Sequence, residues 1–531
     1  MSTFSGRPSS VGAALALAAS ALAASAAAAK ERESAVLSTD TAYALAERFN
    51  ACDAEDVRNL VPNSDAGEWI AANAPRFDCP SGRLVETYYF RWWTFRKHIV
   101  QTPHGRVLTE FITPVSHAGP YNTVSCAVGH HIAEGRWLRD QALLNEYMSF
   151  WLRSGADGGM APHYHKFSNW NASALYERAK VTGDWTWLTG RLDDLVADYQ
   201  AWEAERQLLN GLFWQHDVKD GMEESISGGR RVKNVRPTIN SYMVANARAI
   251  SAVARRAGRD DLADVYSAKA DQLQEAMVEA MWDPDAQFYK VRLESGQLSN
   301  AREAIGYIPW VFGIAHPQHT PAWRQVTDRA GFWAPAGLTT AERRHPEFRT
   351  HGTGTCEWDG AVWPFATSQT LTGMARLLRD AEQDTVTRDD YFEQLLRYAN
   401  SHQQNGAAYI GEYLDEVTGE WLITGPKAMR SRFYNHSTFN DLIISGLIGV
   451  LPQEDGKLRV HPLVPPNAWN WFCLDGTPCQ GHDVTVVWDR DGQRYGRQAG
   501  LTLMVDGQTV AHRPDLGPLT YQLLPTTDPT E

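Results

Sequence analysis

Two turns of one kind constrain this chain most: Val181-Thr182-Gly183-Asp184 and Ala257-Gly258-Arg259-Asp260. In each, a glycine can end one helix in the left-handed conformation and an aspartate can cap the next. Stretches with helical apolar spacing lie on both sides, 242–256 and 262–282 around the second turn. Along 262–282, Leu262, Val265, Tyr266, Leu273, Met277 and Met281 keep an apolar face. Such hairpins must pack pair against pair, because each amphipathic helix has to bury its stripe.

The same spacing predicts further helices. The stretch 84–96 is dense in aromatics with arginines between them; as a helix it buries one stripe and projects Arg91 and a Trp from another. A helical region runs over 124–153 with a break near Gly135, and others over 301–312, 361–379, 389–400 and 437–451. The count over 84–451 is roughly ten to twelve long helices, with no βαβ alternation. A mainly α toroid of paired helices accounts for that count, and its loops at one end would form a pocket. After Leu451 the period becomes alternating. Strands are expected at 457–464, 484–488 and 501–505, with Asp-Gly turns at Asp491-Gly492 and Asp506-Gly507. The chain thus reads as a lead-in of short helices and loops over 30–83, a helical domain over 84–451 and a small β domain over 452–531, its last residues 528–531 a frayed tail.

Residues 1–29 read as a signal peptide. Arg7 is their only charge, and Val11 to Ala29 is a run of small and apolar residues fitting an A-x-A cleavage site. The mature chain would be exported, periplasmic or secreted, with no membrane span. Export permits disulfides among the six cysteines. Cys473 and Cys479 flank a turn-forming Leu-Asp-Gly-Thr-Pro, and Cys52 with Cys79 is a second pair; Cys126 and Cys356 read as buried thiols. Nothing in the Cys and His spacing points to zinc, and no nucleotide or other cofactor fingerprint is present. The formal charge of -13 argues against nucleic acid or an anionic membrane as partner. The 20 Trp residues suit either sugar-ring faces or a large aromatic core.

Three stretches set acids among aromatics. The first is Asp220-Gly221-Met222-Glu223-Glu224-Ser225, after Trp214 and His216. The second is Glu357-Trp358-Asp359-Gly360-Ala361-Val362-Trp363-Pro364, where Trp358 and Trp363 could line a sugar subsite or pack at a helix entry. The third is Gly411-Glu412-Tyr413-Leu414-Asp415 through Thr418-Gly419, an exposed hairpin acid or a catalytic one. Cleaving a glycosidic bond takes two such carboxylates, one to protonate the leaving oxygen and one to activate water or attack. His163, His165 and His216 lack zinc-type spacing and read as ligand hydrogen bonders or structural residues.

In order, these stretches resemble motifs of the (α/α)6-barrel glycoside hydrolases, the six-hairpin glycosidases of the trehalase, family 63 and mannosylglycerate hydrolase group, near family 142. Pro162-His163-Tyr164-His165 to Trp170, Trp358-Asp359-Gly360-Ala361-Val362-Trp363-Pro364 and Tyr434-Asn435-His436 carry the resemblance together with the two glutamate loops. The resemblance implies Glu223 as general acid and Glu412 as general base of an inverting glycosidase acting on a non-reducing-end sugar of an oligosaccharide or glycoside. The family acid is usually Asp, so Glu224 and Asp220 are alternates for it. Trp93, His163, His165, Trp214, Arg236, Trp358, Asp359, Trp363 and Tyr413 are the expected substrate contacts. Arg236 or Arg91 would keep Glu412 ionised. Two other readings are a non-catalytic carbohydrate-binding relative and a lyase or phosphorylase on a similar toroid, the lyase using Tyr164 with His165 or His216.

Overall fold

The computed structural model describes residues 36–350 and 356–524. The signal-peptide stretch, the tail at 528–531 and Thr355 lie outside the described residues. The body is helix-rich, with a smaller sheet region toward the C-terminus.

Both Gly-Asp turns separate helices. Gly183 is left-handed at φ 74° and closes Asn171–Thr182, and the Asp184 side chain caps Trp185–Thr189 by accepting from Trp187 N at 3.2 Å. At the second turn, Gly258 has φ 70° and joins Pro237–Arg256 to Asp260–Met281; Asp260 is the first helical residue, not a capping one. The two helices of this hairpin pack along each other. Their burial differs. Pro237–Arg256 is buried almost all round, whereas Asp260–Met281 buries one stripe of Ala263, Tyr266, Ala270, Leu273, Met277 and Met281. Val265 falls off that stripe and is exposed. Inner and outer layers follow from this difference. Pro364–Asp380 is a second inner helix, and proline at the first position starts both inner helices, where its missing N–H costs nothing.

Some expectations fail for identifiable reasons. The helix Gly82–Lys97 is not half-exposed: the lead-in helices Asp40–Ala51 and Ala66–Asn73 cover its outward side, so Thr87 through Lys97 are all buried. Region 301–312 forms only a 3-10 turn, Ala304–Tyr307, and the short helix Ile308–Val311, stopped near a left-handed Gly313. Region 437–451 is wound only over Leu442–Ile448, as a π-helix. The Glu134 carboxylate takes the backbone N–H groups of Phe439, Asn440 and Asp441 before that helix begins.

The main sheet is antiparallel and ordered Arg76–Asp78, Trp471–Cys479, His482–Asp489, Gly500–Val505, Gln508–Arg513. Its first strand comes from the lead-in, in register Phe77 with Leu474. Val36 and Leu37 donate to Asp475 Oδ2 at 3.0 and 2.9 Å and fasten the lead-in further. Asp506 and Gly507 both have positive φ, the geometry of a tight hairpin turn. Asp491-Gly492 instead lies in a longer loop. The Leu-Asp-Gly-Thr-Pro segment is not a turn: it runs within strand Trp471–Cys479, with a bulge between Leu474 and Thr477. Six strand residues separate Cys473 from Cys479 by roughly 20 Å, too far to bridge. All six cysteines are free thiols.

Among the described residues, no helix is long and apolar enough to cross a membrane.

Candidate active site

The three acid-aromatic stretches are joined by backbone hydrogen bonds. Trp358 N donates to the carbonyl of Glu223 at 3.4 Å. Val362 and Leu414 exchange two bonds of 3.0 Å, tying the Trp358 stretch to the Glu412 stretch. Tyr434 N donates to the carbonyl of Ile410 at 3.4 Å, and Asn435 N to that of Glu110 at 3.0 Å. The 434–436 segment therefore brings in a fourth acid, Glu110, which sequence reasoning did not single out.

Buried carboxylates pin the Glu223 loop. Asp220, completely enclosed, pairs with Arg236 at 2.6 Å and also accepts from the Thr238 hydroxyl. Asp217 accepts from Gly229 N at 2.9 Å, and Glu303 takes the Ser227 hydroxyl. Gly221 at φ 72° makes the bend after Asp220, where an added Cβ would sit 3.4 Å from the Cys126 sulfur. Glu223 itself has no ion-pair partner among the described residues. Burial first, then Glu412 and Asp217, raise its carboxyl to about 7 against smaller opposing effects, including that of Arg230. Glu224 points elsewhere: at φ 65° it pairs with the half-exposed Arg230 at 2.9 Å.

Glu412 is 4% exposed, so it is not a solvated hairpin acid. Its N–H donates to Ser431 Oγ at 2.9 Å, and its carboxylate pairs with Arg430 at 3.2 Å. Burial raises its pKa, while Arg430 and Lys427 oppose that rise. Arg430 holds the position expected for Arg236 or Arg91. Arg236 is taken by Asp220, and Arg91 is buried against Ser437, Tyr398 and Glu134.

Glu110 accepts from the Tyr434 hydroxyl at 2.6 Å, and Cys126 Sγ lies 3.8 Å from its other oxygen. Burial, then Glu412 and Glu223 after the opposing Tyr434 bond, push it to about 8. Three glutamates from distant parts of the chain thus share one field. Two thiols sit among them. Cys356 Sγ is 4.0 Å from Glu412, and burial with the nearby glutamates raises both thiols. The signal for Glu110 was an acid inside the apolar run 107–114. Arg430 had no signal beyond lying between two motifs.

The aromatic residues divide. Trp358, Trp363 and Tyr413 form a continuous stack, with centroids 4.5 and 4.8 Å apart. Tyr413 OH accepts from Cys356 N at 3.3 Å, so the stack abuts the Glu412 side of the site. Asp359 lies at the turn of this stretch, fully buried, its carbonyl accepting from Arg349 N at 3.0 Å. Trp93 is not in this group. It packs on Phe49, Phe90 and Phe433, and its Nε1 donates to Asn50 at 2.8 Å, a core position created by the lead-in. Trp214 lies on another short hairpin between Arg206 and Lys233.

His163 is exposed, with its ring against Gly119. His165 stacks on Trp202 and binds Asp198 at 2.7 Å and Glu205 at 2.9 Å. Burial would lower its pKa, but these two acids raise it. Tyr164 is buried against Trp151 and hydrogen-bonds Asn171 at 3.1 Å. His216 bonds the Val232 carbonyl at 2.9 Å. The side chains a lyase would need are thus engaged in packing. Among the described residues, no three His, Cys, Asp or Glu side chains are arranged to hold a metal ion.

A helical body carrying loop-borne glutamates beside an aromatic stack is a glycoside hydrolase arrangement. The chain belongs to the mannosylglycerate hydrolase MGH1-like glycoside hydrolase family, whose domain matches residues 120–437. Residues 451–512 match the C-terminal domain of glycosyl hydrolase family 65. A solved structure named sialidase is 46% identical, with TM-score 0.90 over 92% of this chain; the chain spans only 45% of that protein's length. A family 78 rhamnosidase of a Bacillus species shares the fold at 15% identity and TM-score 0.53, over 81% of this chain and 41% of its own. An uncharacterized conserved protein from Thermus thermophilus does so at 14% identity and TM-score 0.51, over 67% of this chain and 98% of its own.

Proposed function

We propose that the chain is an exported, inverting exo-glycosidase in which Glu223 is the general acid and Glu412 the general base. One observation carries this reading: two glutamates on loops tied through backbone hydrogen bonds, Glu412 buried and paired with Arg430, Glu223 partly buried with no ion-pair partner among the described residues. Glu223 holds a proton up to about pH 7, as an acid must to protonate a leaving oxygen. Arg430 favours the ionised form of Glu412, as a base requires. In an inverting enzyme the two carboxyls leave room for water, about 6.5–9.5 Å apart. The buried Trp358–Trp363–Tyr413 stack braces the Glu412 loop from behind.

The six-hairpin toroid is part of the proposal. The helices neighbour one another in chain order, Val128–Gly135 on Asn171–Thr182, then Pro237–Arg256, Ile308–Val311, Pro364–Asp380 and Leu442–Ile448, as around a ring. A pocket closed by the loops of such a ring takes a chain end, which favours release of a terminal sugar.

The test is Glu223→Gln and Glu412→Gln assayed on aryl glycosides and on a glycan panel that includes mannosylglycerate, with NMR of the first-formed anomer. Loss of turnover in both and an inverted first product support the mechanism. Full turnover in either variant, or a retained anomer, refutes it.

A further inference from the structure

A cavity lies apart from the three glutamates. A cavity of about 540 Å³ is enclosed mainly by the helices Val128–Gly135, Asn171–Thr182, Pro237–Arg256 and Pro364–Asp380, and no residue of the glutamate site lines it. That volume suits a small molecule. Between it and the glutamates lies a layer of rings. Trp170 meets His130 at 5.0 Å, His130 meets Phe365 at 4.5 Å, and Phe365 meets His436 at 5.7 Å. His436 then meets Tyr434, which holds Glu110.

The chain is acidic overall, yet this chamber is not. Arg136, Lys180, Arg248, Arg376, Arg379 and Arg459 line it, against the acids Glu177, Asp380 and Asp441. Each acid is already claimed. Arg136 takes Asp441 at 2.6 Å, Lys180 takes Glu177 at 2.9 Å, and Arg376 takes Asp380 at 3.2 Å. The other three cations have no carboxylate partner among the described residues. Arg379 bonds the carbonyls of His461 at 3.1 Å and of Gly446. Arg248 bonds the Phe312 carbonyl at 3.0 Å and the Gln274 side chain. Arg459 has neither a side-chain hydrogen bond nor an ion pair among the described residues. Like charges crowd here: after burial, Arg388 and Arg459 both act to lower Arg379, and all three arginines act to lower His461. Caps for helix carbonyls explain Arg379 and Arg248, but they leave Arg459 unexplained. The remaining wall mixes alanines and other aliphatic residues with hydroxyls and rings. Ser173, Thr372 and Thr438 line it beside Trp170, and the buried His130 has an Nε2 with no partner among the described residues.

We propose that this cavity is a second, non-catalytic carbohydrate site for a small hydroxylated anion of the sugar acid or sugar phosphate class. The anionic group meets Arg459 and Arg379. The hydroxyls meet His130 and the Ser and Thr side chains, with Trp170 beneath the ring. Nothing in it depends on the roles given to Glu223 and Glu412.

Calorimetric titration of the full chain tests it, with glucuronate and glucose 6-phosphate as probes and glucose and inorganic phosphate as controls. Saturable binding of at least one anionic sugar is expected, at least tenfold tighter than glucose or phosphate and weaker at high salt. Arg459→Gln should weaken it at least tenfold with an unchanged melting temperature. Ser173→Phe, which fills the chamber without touching the arginines, should abolish it, while Glu412→Gln should leave it intact. The proposal is overturned if neither anionic sugar binds, if glucose or phosphate binds as tightly, if both chamber variants bind normally, or if Glu412→Gln removes the signal.

Discussion

Asp220 and Glu223 lie on one loop, the first sealed and the second partly buried, and their surroundings are opposite. Asp220 has Arg236 at 2.6 Å and the Thr238 hydroxyl. Glu223 has no ion-pair partner among the described residues and lies in the field of two other glutamates. A buried charge with a good partner is a structural clamp, whereas a buried acid without one keeps its proton and can deliver it. Withdrawal from water alone therefore does not set the roles of acids in this loop. The company each carboxylate keeps does.

The comparison breaks if the two acids fail alike. Removing the proposed acid or base by Glu223→Gln or Glu412→Gln should lower kcat by about 10²–10⁴-fold, the usual contribution of a positioned acid or base. Stability should hold or rise for Glu223→Gln, which removes an acid whose ionisation is disfavoured, and should fall for Glu412→Gln, which leaves Arg430 without its carboxylate. Steady-state kinetics beside thermal melts check both halves. Wild-type kcat should also fall as pH rises through about 7, where Glu223 loses its proton, and a profile flat from pH 5 to 9 would contradict the assignment. Asp220→Asn should behave in reverse. It leaves Arg236 charged in a sealed site, and breaking a buried pair from one side costs about 3–5 kcal/mol. Denaturant unfolding should show that loss, and a near-neutral result would mean the clamp is not one.

How much of this was legible differs between the same two acids. The loop could be marked as important because it packs three carboxylates beside aromatics and a Gly-Gly pair. Which carboxylate did what could not be read, since that depends on Arg236 and Glu412, far along the chain. The Gly183-Asp184 turn was readable because its conformation is local. Trp93 was misread because the pattern of helix Gly82–Lys97 shows only that it is aromatic, not that the lead-in would cover its second side. Cys473 and Cys479 were misread because a Gly-Thr-Pro segment also suits a bulged strand. Glu110 and Arg430 were missed for a third reason: each reaches the glutamate cluster only through a neighbour supplied by another loop.

Glu110 sharpens the comparison as an acid with a hydrogen bond but, among the described residues, no counter-ion. Its carboxyl is raised from 4.5 to about 8, so the folded state holds the proton more tightly than the unfolded chain. That contribution is fully present below pH 4.5 and is lost as pH rises through about 8. Glu110→Gln keeps an acceptor for Tyr434 but cannot titrate. Its melting temperature should fall less between pH 5 and 8.5 than that of the wild type. Parallel curves would mean that Glu110 is not the group releasing the proton.

The smallest effect is expected one residue beyond Glu223. Glu224 pairs with Arg230 at 2.9 Å, and the two side chains are 28% and 56% exposed. An ion pair so open to water contributes about 0–1 kcal/mol. Glu224→Ala should leave stability within that range and kcat within about threefold, well short of the effect of removing a positioned acid. What it could disturb is the backbone, since Glu224 sits at φ 65°, where alanine is no better suited. Glu224→Gly relieves that conformation while deleting the same carboxylate. If both variants keep near-normal turnover, the acid is not Glu224. If both lose it by more than a hundredfold, the proton donor lies one residue further along the loop than Glu223, and the contrast with Asp220 must be redrawn around Glu224 and Arg230.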